Sequence, residues 1–206
     1  MLSYQTIEPY TLELLKGLMS EPLFVSLRLV GGTALALQYG HRNSVDLDFF
    51  GVIEAESETI KDTLRKYGKL LVVKESQNIK IYQLNGVKVD IVNYSYSWID
   101  SPVVENGIVL ASPKDIAAMK VNAIEGRGTK KDFIDMYFLL QHYELKEILD
   151  FYQSKYPENS IFRALMSLSY FEDAESQFMP KMFSSVCWEN MKNYISAQVE
   201  SYSKSQ

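Results

Sequence analysis

The spacing of apolar residues along the chain changes near residue 110. Before that point, short apolar or alternating runs typical of β-strands are interleaved with segments of helical periodicity. From Ser112 onward, almost the whole pattern is that of amphipathic helices. We therefore expect an α+β chain in which a mixed-sheet core over residues 1–110 is followed by a helical region over residues 111–206.

Turn and capping residues refine these boundaries. Asn85-Gly86 predicts a tight hairpin that joins strands over 79–84 and 87–94. Ser112-Pro113 predicts the start of a helix, with Asp115 answering the Ser112 cap. Further predicted elements are strands over 27–30 and 69–73, a loop over 98–107, and helices over 9–20, 57–67 with Ser57 as cap, 132–143, 145–156, 160–168 and 187–201.

A pair of glycines follows the first predicted strand. Gly31 and Gly32 carry no Cβ and can adopt positive φ, so the backbone can approach a ligand closely. The helical pattern that begins just after them would present unpaired N–H groups at the same place. This corner suits a phosphate.

Two aspartates lie in the next apolar run. Asp46 and Asp48 are separated by one residue, so on a strand they share one face while Leu47 and Phe49 point to the other. Two neighbouring carboxylates repel each other unless a cation lies between them, and Mg²⁺ prefers such oxygen ligands. A phosphate corner beside a carboxylate pair indicates chemistry on a nucleotide.

Further charged positions each allow two interpretations. Asp90 lies on the polar face of its strand, which is either solvent-exposed or part of the site. Lys120 shares an apolar helical stripe with Ile116 and Ile124, so its amine either extends to water or meets an anion such as a triphosphate. Arg42 is suited either to a phosphate or to an ion pair with one of the aspartates.

A basic, glycine-rich segment precedes the second C-terminal helix. Residues 126–131 either hold phosphates through Arg127 and Lys131 or form a solvated connection. Asp132 and Asp135 follow on one helical face, where the helix dipole alone would favour an acid in the first turn.

Composition narrows the class of protein only in part. The 206 residues carry a net charge of -5, so contact with a nucleic acid would need a local basic patch. The single cysteine excludes an internal disulfide and fits a reducing compartment. No apolar run approaches membrane-spanning length, and we expect a cytoplasmic protein without membrane contact.

The stretch GGTALALQYGHRNSVDLDFF, residues 31–50, resembles the signature of DNA polymerase β-type nucleotidyltransferases, and most closely that of the AbiEii/AbiGii toxins. The segment from Lys120 to Asp135 resembles later motifs of that family, in which a lysine and an aspartate are needed for activity. The resemblance implies a nucleotidyltransferase-fold core over 1–110, with helices that complete the active site. Asp132 is the first choice for the functional aspartate and Asp135 the second.

The resemblance also implies roles for the residues named above. The implied metal ligands are Asp46, Asp48 and Asp90, with two Mg²⁺ ions expected and Mn²⁺ as an alternative. The implied catalytic residues are Asp46, Asp48, Asp90, Lys120 and Asp132. The implied substrate contacts are Gly31, Gly32, Thr33, Arg42, Arg127, Lys131 and Asp135.

The implied reaction is transfer of a nucleoside monophosphate from an NTP to an acceptor hydroxyl. Some AbiEii-like toxins use the 3′ end of tRNA as acceptor, and a cognate antitoxin protein restrains them. Two alternatives stay open: an acceptor that is a small molecule or a protein, which the acidic composition favours, and a catalytically silent interaction module. A silent module has no need for mutually repelling carboxylates.

Overall fold

The computed structural model describes residues 1–205, which divide into two compact units. The sheet unit contains Met1–Ser95 and Pro102–Ala111. The helical unit contains Tyr96–Ser101 and the chain from Ser112 onward. The sequence interpretation placed a single division after residue 110. In the described chain, the backbone instead passes between the units at residues 95–96, 101–102 and 111–112.

The described part of the sheet unit is built on one mixed seven-stranded sheet with the order β3-β4-β5-β2-β1-β7-β6. The strands are β1 (Arg28–Val30), β2 (Leu47–Gly51), β3 (Leu70–Glu75), β4 (Ile79–Leu84), β5 (Val87–Asn93), β6 (Val103–Glu105) and β7 (Ile108–Leu110). The β2–β5 and β1–β7 pairs are parallel, and the other pairs are antiparallel. The α+β class with a mixed sheet is thereby confirmed.

Three α-helices accompany this sheet within the described residues: α1 (Pro9–Ser20), α2 (Gly31–Tyr39) and α3 (Ser57–Arg65). Pro9 occupies the first turn of α1, as predicted, and Leu14, Leu15 and Leu18 form its buried face. The helix over 57–67 exists but ends earlier, and Glu56 rather than Ser57 is its N-cap.

The predicted loop over 98–107 was wrong in its second half, where β6 and β7 form a hairpin. Asn106 and Gly107 both have positive φ, at 51° and 78°, which is the geometry of a tight hairpin turn. The strands are only three residues long each, so they give too little alternation to be identified from sequence.

The described helical unit contains α4 (Pro113–Gly126), α5 (Lys130–Leu139), α6 (Leu145–Lys155), α7 (Ile161–Leu168), α8 (Glu172–Glu175) and α9 (Trp188–Lys204). The Ser112 hydroxyl accepts a hydrogen bond from the Asp115 N–H and caps α4, as the sequence predicts. The four-residue α8 was not predicted. No helix within residues 1–205 is both long enough and apolar enough to cross a bilayer.

Candidate active site

The glycine corner of the sheet unit is shaped around a carboxylate. Gly31 begins α2 directly after β1 and has φ +69°, a conformation that L side chains rarely adopt. A Cβ added there would come closer than 3.0 Å to Asp48 Oδ2. Glycine is therefore needed at this position both for its backbone conformation and for the room it leaves beside Asp48.

Parallel pairing of β2 with β5 brings two of the three predicted metal ligands together. Asp48 and Asp90 are direct Cα partners in the ladder, and so are their buried neighbours Phe49 and Ile91. Because side chains alternate along each strand, Asp48 and Asp90 share the face opposite that buried pair. Asp46 lies two residues before Asp48, just ahead of β2.

The Asp90 carboxylate is only half satisfied. Its Oδ2 accepts a hydrogen bond from Lys88 Nζ at 2.5 Å. Its Oδ1 is buried and has no hydrogen-bond partner among residues 1–205. A buried polar atom without a partner costs free energy, and native structures contain few of them.

This arrangement fits a divalent cation in its chemistry and position. The donors are carboxylate oxygens, which Mg²⁺ prefers, and one of them is orphaned beside a second carboxylate. Within residues 1–205, no three acidic, histidine or cysteine side chains form a ready-made metal cluster. The site is therefore a carboxylate pair with Asp46 nearby rather than a closed cage.

The loop between α2 and β2 packs against the glycine corner. Arg42 is buried, its Nη2 lies where a side chain at Gly32 would be, and its Nη1 donates to Asn43 O at 3.0 Å. The Thr33 hydroxyl is 2.8 Å from Ser44 Oγ and also contacts the Asp46 carbonyl oxygen. Thr33 thus ties the first turn of α2 to the segment that carries Asp46.

The predicted lysine and aspartates of the helical unit form a buried ionic cluster. Lys120 Nζ lies 2.9 Å from Asp132 Oδ1 and 2.6 Å from Asp135 Oδ2. The three side chains are 5%, 1% and 0% exposed. The structure therefore excludes the interpretation that the Lys120 amine extends into water, and it brings both candidate aspartates to the same lysine.

Asp132 also organises the turn that precedes α5. Its carboxylate accepts hydrogen bonds from Arg127 Nε and Nη2 at 2.9 and 3.1 Å and from the Thr129 hydroxyl at 2.6 Å. Thr129 and Asp132 form a capping box, so the acid serves both the helix start and the ion pairs. Burial tends to raise the pKa of Asp132, but the Lys120 charge and the Arg127 and Thr129 hydrogen bonds outweigh it and lower that pKa well below its usual range.

The basic segment over 126–131 is not one uniform loop. Gly126 ends α4, while Lys130 and Lys131 already belong to α5. Lys130 is buried and donates to the carbonyl oxygens of Glu175 and Gln177, at 3.0 and 2.7 Å. Lys131 is exposed, and the Arg127 side chain is 65% exposed while its guanidinium is fixed by Asp132.

A second buried ion pair in the helical unit was missed by the sequence analysis. Lys155 Nζ lies 2.8 Å from Asp115 Oδ1, and both side chains are fully buried. Lys155 also donates to Ser97 O and lies 4.7 Å from the centre of the Trp98 ring. The Asp115 carboxylate accepts hydrogen bonds from the Ile99 N–H and from the Ser112 hydroxyl. It therefore contacts the 96–101 segment as well as the N-cap residue of α4.

The Lys155–Asp115 pair holds the short segment Tyr96–Ser101 in place within the helical unit, since each member of the pair is hydrogen-bonded to the backbone of that segment. The sequence signal was available: Lys155 lies on the same helical face as the apolar Ile148 and Tyr152, as Lys120 does beside Ile116 and Ile124. A lysine on an apolar stripe either extends its amine to water or meets a buried anion, and the pattern marks Lys155 as a candidate for the second.

Comparison with known proteins identifies the family. The family model described as "Nucleotidyl transferase AbiEii toxin, Type IV TA system" matches residues 13–175. The chain belongs to the AbiEii nucleotidyltransferase toxin family. An uncharacterized protein of Aquifex aeolicus (strain VF5), aq_aa25, is 36% identical over 180 residues, which span 84% of this chain and 86% of the relative.

Solved structures support the nucleotidyltransferase fold of this AbiEii chain. A crystal structure of a candidate nucleotidyltransferase from H. pylori is similar with a TM-score of 0.62 and 18% identity, over 95% of this chain and 92% of that one. MenT4, the nucleotidyltransferase toxin Rv2826c of Mycobacterium tuberculosis H37Rv, gives a TM-score of 0.56 and 11% identity, over 93% and 82%. At these identities the likeness concerns the fold.

Proposed function

We propose that this AbiEii protein is a metal-dependent enzyme that transfers a nucleoside monophosphate from an NTP to an acceptor hydroxyl. The observation that carries the proposal is the in-register pair Asp48 and Asp90, with Asp46 two residues away, beside the Gly31 corner. The buried Asp90 Oδ1 has no hydrogen-bond partner among residues 1–205, and a divalent cation is the ligand that would satisfy it.

Each residue then has a role that follows from its position. Asp46, Asp48 and Asp90 would hold Mg²⁺ or Mn²⁺, which supplies charge neutralisation for the triphosphate and activation of the acceptor hydroxyl. The N–H groups at the start of α2, at Gly31, Gly32 and Thr33, bind phosphate oxygens. Arg42 supplies positive charge from the adjoining loop.

The helical unit contributes a second group of charged residues. By analogy with the family, Lys120 and Arg127 would neutralise negative charge that develops during transfer, and Lys131 offers a further exposed cation. Asp132 and Asp135 hold these cations in fixed positions. Lys120 is thereby ordered by its carboxylate partners before any substrate arrives.

The acceptor and the protein partner are proposed by analogy with the family. We infer an RNA acceptor, with the 3′ end of tRNA as the leading candidate, in the cytoplasm. The matched family is that of type IV toxin–antitoxin systems, which supports an antitoxin protein as partner. The net charge of -5 is the observation that favours the rival, an acceptor that is a small molecule or a protein.

Calorimetry of NTP binding with and without Mg²⁺ tests the first part of the proposal. Asp48→Asn removes one charge from the pair and should abolish most of the metal-dependent binding. Asp62→Asn is the matched control, because Asp62 is an exposed acid of α3 paired with Arg65, and it should bind as the wild type does. Equal binding by wild type and Asp48→Asn would support the silent interaction module instead.

Incubation with labelled NTPs and total tRNA tests the acceptor. Label should enter RNA with the wild type and not with Asp48→Asn. If no NTP labels any RNA while metal-dependent NTP binding is intact, the acceptor is a small molecule or a protein.

A further inference from the structure

The helical unit contains a cavity of about 350 Å³. One wall is the end of α4 and the turn after it, from Ile124 to Gly128. The opposite wall is formed by Met166 and Ser167 of α7 together with Tyr170 and Asp173. This volume lies within the range of pockets that hold small ligands. We call it the Arg127–Tyr170 pocket.

The wall formed by α7 offers an apolar, aromatic surface. Met166 and Tyr170 are four residues apart and are 59% and 52% exposed, whereas Ala164 and Leu168 of α7 are buried. Exposed apolar side chains that lie together beside a cavity can form a binding surface. The Tyr170 ring can stack against a planar ring such as a nucleic-acid base.

The wall formed by the end of α4 offers a guanidinium group in a fixed position, partly neutralised by Asp132. Arg127 lines the cavity while its Nε and Nη2 are hydrogen-bonded to Asp132, so its guanidinium is held in place. A pre-ordered guanidinium at the edge of a cavity suits a phosphate, because less side-chain entropy is lost on binding. Within residues 1–205, no side chain or distant backbone lies within 4 Å of the position that a Cβ would take at Gly126, so the backbone is approachable there.

The acidic residues that line the pocket are Glu125 and Asp173. Glu125 is paired with Arg163 at 2.9 Å and accepts a hydrogen bond from the Tyr152 hydroxyl at 2.5 Å. Asp173 remains as an acceptor in the wall that carries Tyr170, where a ribose hydroxyl or a base amino group could donate to it.

We propose that the Arg127–Tyr170 pocket binds one nucleotide of a single-stranded RNA acceptor, with its base against Tyr170 and its phosphate against Arg127. This inference rests on the proposed function, since it assigns a binding pocket to the RNA acceptor named there. The pocket adjoins the buried ionic cluster of the helical unit, because Arg127 shares Asp132 with Lys120.

A protein partner would be expected to use a different surface. Phe162 is 72% exposed on α7, outside the cavity, and Phe178 is also exposed. A partner protein that docked on the apolar side of α7 would cover Phe162 as well as Met166 and Tyr170. A nucleotide in the cavity would leave Phe162 untouched.

Fluorescence anisotropy with a short 5′-labelled single-stranded RNA, in EDTA and without NTP, tests the proposal on the full chain. Tyr170→Ala should weaken binding about tenfold, the loss expected for one base–aromatic stack, while Tyr170→Phe should stay within about twofold. Phe162→Ala is the matched control, and it should bind RNA as tightly as the wild type. Tyr170 is half exposed, and circular dichroism checks that each variant folds.

Three outcomes would overturn the pocket: no RNA binding by the wild type, no loss with Tyr170→Ala, or an equal loss with Phe162→Ala and Tyr170→Ala. The third outcome would mean that RNA binds along the exposed face of α7 rather than in the pocket. Calorimetry of metal-dependent NTP binding by Tyr170→Ala separates this failure from failure of the proposed function, because that binding depends on the aspartates of the sheet unit. It should be unchanged in the variant.

Discussion

The two carboxylate clusters of this toxin differ in whether every buried carboxylate oxygen has a hydrogen-bond donor among residues 1–205. In the helical unit, Asp132 and Asp135 receive Lys120, and Asp132 also receives Arg127 and the Thr129 hydroxyl. In the sheet unit, Asp48 and Asp90 lie side by side, and one buried oxygen of Asp90 has no hydrogen-bond partner within residues 1–205.

The difference separates two uses of aspartate. A carboxylate surrounded by donors has its interactions complete in the free protein, so it orders its neighbours. A buried carboxylate oxygen without a donor, next to a second carboxylate, is suited to binding a cation. The predictions below alter one of these clusters or the second buried ion pair of the helical unit, beginning with the largest expected effect.

Removal of the lysine from the buried Lys155–Asp115 pair should cause the largest loss of stability. Lys155→Met leaves Asp115 buried without its charge partner, and we expect a loss of about 3–5 kcal/mol in the free energy of unfolding. Denaturant unfolding followed by circular dichroism measures it.

Lys146→Met is the control for this change, since Lys146 forms an exposed pair with Asp150 on the same helix. It should cost less than about 1 kcal/mol. Similar losses for the two variants would mean that the buried pair is not a stabilising anchor.

A side chain added beside Asp48 and Asp90, which we call the incomplete cluster, should cause the next largest loss of stability. Gly31→Ala combines a strained positive φ with a Cβ that overlaps Asp48 Oδ2, and it should cost about 2–3 kcal/mol of stability and most metal-dependent NTP binding.

Gly107→Ala isolates the backbone effect. Gly107 has φ +78°, but no described atom outside its immediate neighbours lies within 4 Å of its Cβ position, so about 1 kcal/mol is expected. If both glycine variants lost the same stability, the predicted clash with Asp48 would make no contribution and the prediction would be wrong.

Removal of the lysine at the incomplete cluster should improve metal binding. Lys88 donates to Asp90 Oδ2, and its charge opposes a divalent cation at that carboxylate. Lys88→Met should therefore tighten Mn²⁺ binding about tenfold, or ~1.4 kcal/mol, at low ionic strength. Electron paramagnetic resonance of free Mn²⁺ measures the affinity without NTP.

Lys16→Met serves as control, because Lys16 is a similarly exposed lysine of the sheet unit that is paired with Glu13 on α1. Its substitution should leave Mn²⁺ affinity unchanged. Weaker Mn²⁺ binding by Lys88→Met would show that the lysine assists the site instead of competing with the ion.

Low pH should reduce the stability that the Lys120–Asp132–Asp135 cluster contributes, by a smaller amount than the changes above. The folded-state pKa of Asp132 is lowered, so its contribution to stability is present above the unfolded-state pKa near 4 and is lost as pH falls. Between pH 5 and pH 3 the Asp132 contribution should fall by about 1 kcal/mol.

Chemical denaturation of wild type and Asp132→Asn at both pH values gives the difference. The variant should show a correspondingly flatter pH dependence. Parallel curves would contradict the assignment of this loss to Asp132.

Local features of the fold could be predicted from sequence, whereas long-range pairings could not. The bounds Pro9–Ser20 and Ile79–Leu84 match the prediction because a proline and an Asn-Gly turn determine them over a few residues. The parallel register of Asp48 with Asp90 joins strands about 40 residues apart, and only the family resemblance suggested that they meet.

The same limit applies to the charged residues. The alternatives for Lys120 included an anionic partner, but the sequence pattern did not identify Asp132 and Asp135 as that partner. Lys155 and Asp115 are 40 positions apart, and no local pattern connects them. The roles assigned to the metal and substrate residues remain predictions.

The path of the backbone has a consequence for protein engineering. A fragment that stops at Ser95 would lack β7, and the side of β1 that pairs with it would become a bare edge open to aggregation. Splitting this toxin into separately expressed halves therefore calls for a first fragment that runs to Ala111, which keeps residues 102–111 with the first 95 and separates only residues 96–101 from the helical unit.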